Sequence, residues 1–225
     1  MKQNILKLFT TTTDKNLAYH VTTNKVQVDT ARNNLAHKYN FDINNLKYMN
    51  QIHGNDVQIV SKDKNLYECD ALITNLKNTP LMVMVADCIP IIFYDEISNV
   101  IAVAHAGRNG TFLNISSNVI NYMINNFSCE VTNIKVQMGA SIQKCCYEVS
   151  SEMTNIVHKN FGSNFVQNRN INLQGINQMQ LINCGIKEQN INISNICTKC
   201  SNQPYYSYRN DSSCGRFAGI IMLRD

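Results

Sequence analysis

The sequence predicts an α+β fold: a single domain over residues 1–225, with a mixed β-sheet core covered by helices. Three observations carry this. Apolar runs of strand length cluster at Leu81–Val85, Ile91–Tyr94 and Val100–Ala104, each bounded by turn residues. Segments with helical spacing of apolar residues stand singly or in pairs, so the order is neither a strict βαβ alternation nor all-β. No fixed-period repeat and no long linker divides the 225 residues, a length that can bury a sizeable core.

Taken in order, the first strand is expected at Ile5 to Thr11. A short polar connection follows, then a helix at Val26 to Tyr39 with Val28, Ala31, Leu35 and His37 or Ala36 inward. Strand-like segments at Leu46 to Gln51 and Val57 to Val60 flank Ile52-His53-Gly54-Asn55, so His53 sits on a turn where Gly54 permits close approach or positive φ. Asp70 to Thr74 reads as a short strand ahead of the three apolar runs. Gly107 and Gly110 then bracket a loop opening a helix from Thr111 to Phe127, with Phe112, Ile115, Val119, Tyr122 and Met123 at helical spacing. A strand at Ile134 to Met138, helices at Glu148 to Phe161 and Leu173 to Cys184, and a strand at Phe217 to Leu223 complete the reading.

Composition narrows the function. The charged fraction is 16% and the net charge of +4 is spread along the chain, so there is no basic stripe for nucleic acid and no cationic amphipathic helix for a membrane surface. The start turns polar too soon for a leader, and no apolar run approaches the roughly 20 residues of a membrane span, so a cytoplasmic protein is expected. Nine cysteines, an odd number, argue for reduced thiols rather than a secreted disulfide framework. The heavy use of asparagine is interleaved with periodic apolar positions and reads as biased composition.

The chemistry concentrates in Ala86-Asp87-Cys88-Ile89-Pro90 and Ala104-His105-Ala106-Gly107. A cysteine between apolar runs is commonly a small buried hydrophobe, but an adjacent carboxylate between the same runs needs a partner. His105 has small neighbours that leave room around its ring. With His53, these residues offer two imidazoles and a thiol where strands meet loops, enough for three zinc ligands with a fourth position for water. Cys197-Thr198-Lys199-Cys200 lacks a second close pair; Cys184 and Cys214 could complete a four-thiolate site, the alternatives being a redox pair or incidental thiols. Adjacent Cys145 and Cys146 are expected to send at most one sulfur into any site. Gly139-Ala140-Ser141 follows a strand and offers a backbone cradle for an anion. Arg209 and Arg216, among Tyr205, Tyr206 and Tyr208, read either as a solvated turn or as a clamp on phosphate or carboxylate.

Together these blocks resemble the laccase-domain family, also called the multicopper polyphenol oxidase or purine nucleoside phosphorylase family. The resemblance runs in order from about residue 47 through Gln51-Ile52-His53-Gly54, Asp70 to Thr74, the Cys88 and His105 blocks and Gly139 to Ile142. It continues through Cys145 to Val149, Cys197-Thr198, Tyr206 to Arg209 and Gly215-Arg216. It implies a sheet sandwiched by helices, with zinc on His53, Cys88 and His105. It also implies phosphorolysis of adenosine, inosine, guanosine and methylthioadenosine, with adenosine deamination as a side activity. Zinc is favoured over copper because a multicopper cluster needs many more histidines than the five present. Asp87 is the candidate proton shuttle, Arg216 the first choice for the anion site, and Arg209, Arg108, Gln51 and Ser141 the further candidate contacts. The family pattern His-Ala-Gly-Trp-Arg-Gly is replaced here by His105-Ala106-Gly107-Arg108-Asn109-Gly110, without the aromatic ring. Rival readings are a metal-free cysteine hydrolase using Cys88 and His105, a copper polyphenol oxidase, and a degenerate binding module marked by the altered Arg108-Asn109 pair.

Overall fold

A strand that is apolar on both faces has to be covered on both, and this chain does so by stacking two sheets and placing helices outside them. The structure is a computed structural model that describes residues 5–225; residues 1–4, the first part of the stretch read for a leader, lie outside the described residues. Along the chain run β1 (Ile5–Phe9), α1 (Lys25–Tyr39), β2 (Lys47–Asn50), β3 (Val57–Ile59), β4 (Leu66–Glu68), β5 (Ala71–Thr74), β6 (Leu81–Val85), β7 (Ile89–Asp95) and β8 (Val100–Ala106). They are followed by α2 (Arg108–Phe112), α3 (Ile115–Phe127), β9 (Lys135–Met138), α4 (Ser151–Asn160), β10 (Val166–Gln167), β11 (Asn170–Ile171), α5 (Leu173–Asn183), β12 (Ile191–Ile193) and β13 (Phe217–Leu223).

One sheet has the strand order β1-β13-β6-β2-β4 and the other β12-β9-β7-β8-β5-β3, with β10 and β11 forming a small separate hairpin. Both large sheets are mixed: β2 runs parallel to β4 and β6, while β13 is antiparallel to β1 and β6. Between the sheets, Val83, Val85, Phe217 and Ile221 meet Leu72, Ile92, Ile101 and Val103. On the far side of the six-stranded sheet, Ile91, Phe93 and Ala102 pack on Val119, Met123, Ile176 and Leu181 of α3 and α5. On the far side of the other, Met82, Met84 and Ile220 take Ala31 and Leu35 of α1. Every residue of β6, β7, β8 and β13 is buried as a result, so their sequences are continuous apolar runs instead of alternating ones.

The α+β expectation therefore holds, and the covered core is two stacked sheets. Several boundaries differ for local reasons. β1 stops at Phe9 because Thr11 caps a 3-10 turn over Thr12–Asp14. The connection to α1 is long, covering residues 10–24 and a second 3-10 turn at Tyr19–Val21. On α1 it is Ala36 that turns inward, while Arg32 is buried as well and His37 is exposed. The expected helix from Thr111 to Phe127 is two helices, since Asn114 adopts the left-handed conformation (φ 61°) between α2 and α3. α4 starts at Ser151, where the Ser150 side chain accepts from the Met153 amide. The three-residue strands β4 and β12 carry too little pattern to be read from sequence.

Three connections, β2 to β3, β4 to β5 and β6 to β7, pass from the five-stranded sheet to the six-stranded one. Because β2, β4 and β6 are parallel, all three leave at the same end of the sandwich. β8 ends beside them and runs into α2, which α5 holds from behind: Asn177 Nδ2 donates to Thr111 Oγ1 (2.9 Å) and Gln180 Nε2 to the Thr111 carbonyl (2.8 Å). So fixed, α2 brings Gly110 against the His53 loop, where a Cβ would lie 2.9 Å from the Gly54 carbonyl oxygen and 3.1 Å from that of His105. Both obstacles are backbone. Gly110→Ala is expected to destabilise the fold by about 1–3 kcal/mol, read as a lower urea midpoint at unchanged slope. An unaltered midpoint would show that the loop yields freely.

Candidate active site

The three sheet crossings carry His53, Asp70 and Cys88, and β8 carries His105. In the strand register Pro90 pairs with His105 and Ala71 with Ala104, so Asp70 lies alongside His105. The ligand atoms of His53, Cys88 and His105 all lie within 4.8 Å of one another. The two imidazoles meet edge to face, with ring centroids 4.8 Å apart. Three positions distant in sequence form one centre.

Asp70 is the residue that orders it. Fully buried, it takes His105 Nδ1 at 2.8 Å on Oδ1, and its oxygens accept the backbone amides of His53 (3.1 Å) and Gly54 (2.6 Å). Burial works against its charge, but His105 and these amides hold its carboxyl below the usual range. His53, not Gly54, takes the positive φ (60°), which turns both amides toward the one carboxylate. The bond to Nδ1 leaves His105 Nε2 for the Cys88 side. Burial alone would lower the His105 pKa, yet Cys88 and Asp70 push it up to about 9. His53 is lowered, by burial first and then by His105.

The centre opens into a cleft of about 600 Å³ lined by Gln51, Met84, Asp87, Ile142, Tyr147, Tyr208, Arg209 and Arg216 among others. Arg216 is held through Nη1 by the carbonyls of Cys214 (2.7 Å) and Gly215 (3.1 Å), with its guanidinium over the Tyr208 ring. Its charge reaches the centre, since it contributes to lowering both His53 and His20. Arg209 donates Nη1 to the Glu148 carbonyl at 3.1 Å and lies over the Tyr147 ring. The two C-terminal arginines therefore stand on the cleft wall, beside the candidate ligands.

Other candidates are placed differently. Asp87, at φ 82°, lines the cleft, but its Oδ1 accepts from Thr198 Oγ1 (2.6 Å) and its Oδ2 from the Arg209 amide (2.7 Å). It holds the Cys88 bend to the C-terminal loops. Gln51 extends the β2–β6 pairing with its side chain, donating to the Met84 carbonyl and accepting from its amide. Ser141 is fully buried with its hydroxyl accepting from Gln174, and its neighbour Ile142 reaches the cleft instead. Arg108 is exposed at the start of α2, off the cleft lining, and donates to Asn109. Neither Cys184 nor Cys214 joins the Cys197–Cys200 pair; the sulfurs that do are Cys145 and Cys146, both of them.

Asp70, Tyr147 and His20 escaped the sequence reading as site residues. His20 enters the cleft from the 3-10 turn at Tyr19–Val21, which Arg32 holds: its guanidinium lies 4.2 Å from the Tyr19 and Tyr48 rings and donates twice to the Leu17 carbonyl. The signal available for Asp70 was its place just before a buried strand.

The donor set suits one divalent ion. Two imidazoles and a thiolate, with a carboxylate orienting one imidazole, is the composition of zinc sites that keep an open position. Gly107 adds to the fit, because a Cβ there would stand 3.1 Å from Cys88 Sγ and 3.5 Å from His105 Nε2. With His20 the one further imidazole on the cleft wall, the donors do not suit a cluster of coppers.

Known proteins share this arrangement of the chain. A purine nucleoside phosphorylase of Clostridium acetobutylicum is 32% identical over 99% of this chain and 94% of its own. An adenosine deaminase from an unknown prokaryotic organism is 30% identical over 86% and 80%. The crystal structure of the Bacillus licheniformis hypothetical protein YfiH superposes with a TM-score of 0.89 at 25% identity, covering 98% of this chain and 93% of that one. The sequence pattern of one family spans residues 10–224, taking in every candidate ligand and cleft residue described above, and the chain belongs to that family, multi-copper polyphenol oxidoreductase laccase.

Proposed function

We propose that the chain is a zinc-dependent purine nucleoside phosphorylase, with residues 1–225 acting as one such domain in the cytoplasm. Its substrates are adenosine, inosine, guanosine or methylthioadenosine with phosphate, its products the free base and ribose 1-phosphate, and adenosine deamination is a side activity. The observation that carries this reading is the convergence of His53, Cys88 and His105 beneath a cleft whose wall holds Arg209 and Arg216. The names of the relatives agree with it.

His53, Cys88 and His105 would hold the metal, which when bound supplies Lewis acidity toward a substrate atom. Arg216, with Arg209 behind it, holds phosphate beneath the ribose carbon. A phosphate oxygen then bonds to that carbon as its bond to the base nitrogen breaks, and the proton that hydrogen phosphate gives up on becoming the ester is taken up by the departing base. Tyr147 and Tyr208 flank the purine. Asp70 fixes the His105 tautomer so that Nε2 faces Cys88, and Asp87 acts by holding the Cys88 bend against Thr198 and Arg209.

The Cys88–His105 contact also favours a second reading, a thiol hydrolase without metal. Incubation of purified protein with adenosine and phosphate, scored for adenine and ribose 1-phosphate, separates the two. Chelation is expected to abolish turnover and zinc to restore it, and His53→Ala to remove turnover together with the zinc of this centre. Activity that survives both treatments would assign the chemistry to the thiol.

Asp70→Asn keeps the shape but gives up the charge on His105 Nδ1, and is expected to lower zinc affinity and turnover by about 10- to 100-fold. Competition with a zinc indicator measures the first, and unchanged affinity would remove Asp70 from the centre. Arg216→Ala is expected to raise KM for phosphate by about 10- to 100-fold, the loss of a charge-assisted hydrogen bond, with partial recovery in Arg216→Lys. A change confined to KM for the nucleoside would place the anion elsewhere.

A further inference from the structure

The four sulfurs of Cys145, Cys146, Cys197 and Cys200 lie within 4.8 Å of one another, and Thr198, between Cys197 and Cys200 in sequence, donates its hydroxyl to Asp87 of the cleft already described. They come from two tight turns. One is closed by the amides of Cys146 and Tyr147 on the Gln143 carbonyl, the other by the Ser201 amide on the Cys197 carbonyl. A β-bridge between Ser141 and Cys197, with the Thr198 amide on the Ser141 carbonyl at 3.1 Å, locks the turns together. The close turn at Gln143 directs both members of the adjacent pair to one point.

The geometry sits near that of a bound ion. A tetrahedral ZnS4 centre with bonds of about 2.3 Å spaces its sulfurs about 3.8 Å apart, and Cys145 and Cys200 stand 3.6 Å apart. A disulfide needs about 2.05 Å, so either exposed thiol would have to move far more to form one. The surroundings of Cys197 favour thiolate charge, whereas burial pushes the Cys145 and Cys146 thiols up. The Gln143 amide points at Cys197 Sγ from 3.5 Å, and the amides of Lys199 and Cys200 also favour a charged sulfur there. Amides of the third and fourth residues of a C-x-x-C turn directed back at the first sulfur stabilise a metal-bound thiolate. Each turn also carries a lysine, Lys144 and Lys199, opposing the net negative charge of a four-thiolate zinc complex.

We propose that Cys145, Cys146, Cys197 and Cys200 hold a structural Zn2+ in a closed four-thiolate site, distinct from the His53–Cys88–His105 centre. Binding releases the thiol protons and leaves no position open for substrate. The ion pins the turn that carries Tyr147 to the turn that carries Thr198, and so fixes one wall of the cleft from outside it.

The test is the metal content of full-length protein purified under reducing conditions, wild type against Cys200→Ser, Cys145→Ser/Cys200→Ser and His53→Ala. The cysteine variants are expected to carry about one zinc per chain fewer than wild type, whereas His53→Ala keeps this ion. Replacement of zinc by cobalt in the wild type is expected to give the intense thiolate-to-metal absorption of four sulfur ligands. That spectrum needs no variant and so stands even if a serine variant fails to fold. Wild-type zinc content in the double variant, a cobalt spectrum without four-thiolate character, or a Cys145–Cys200 disulfide in freshly isolated protein would each overturn the proposal. Loss of zinc in His53→Ala alone would leave the first centre standing and remove this one.

Discussion

A carboxylate with almost no access to water costs several kcal/mol unless its oxygens are met by donors, and Asp70 meets that requirement in a way that sets the rest of the site. Its three donors come from two places, the His53–Gly54 amides on the β2–β3 crossing and the imidazole at the end of β8. Satisfying the charge therefore draws a loop and a strand together. The left-handed backbone of His53 is disfavoured by about 1–3 kcal/mol, and it persists because it aims two consecutive amides at one acceptor. The ligand geometry follows from where Asp70 finds its partners.

Asp87 repeats the device on the other side. It too has a positive φ, and it too is met by donors from distant segments, the Thr198 hydroxyl and the Arg209 amide. One acid fastens the histidines, the other fastens the cysteine bend to the loops that supply the arginines. Both acids flank parallel strands that leave the five-stranded sheet at the same end, and that common exit is what lets separate segments meet at one cleft.

These relations explain what the sequence made legible. His53, Cys88 and His105 stood out because each is a reactive side chain next to a strand end, which is a local property. The buried strands were equally plain, since coverage on both faces removes any alternation that could confuse them with surface strands. Asp70 was hidden because an acid before a strand looks like a turn residue, and only the tertiary structure buries it. Ser141 misled for the converse reason: Gly139-Ala140-Ser141 has the local look of an anion cradle, but Gln174, a helix away, takes the hydroxyl. The partners of Cys197 and Cys200 were missed because adjacent cysteines diverge in extended chain, whereas here a tight turn at Gln143 gathers them.

The altered pair Arg108-Asn109 bears on whether the centre could have lost its chemistry. Both side chains are exposed on the first turn of α2, off the cleft lining, and they hydrogen-bond to each other; Arg108 acts on the cleft through its charge, felt at Tyr147. The positions on that turn which the centre does constrain are Gly107, whose missing Cβ leaves room beside Cys88 Sγ, and Gly110, pressed against the His53 loop. Both glycines are present. A change that spares the two sterically constrained positions, the three candidate metal ligands and the buried acid alters what meets the rim of the cleft and leaves its floor intact, which argues against a degenerate binding module.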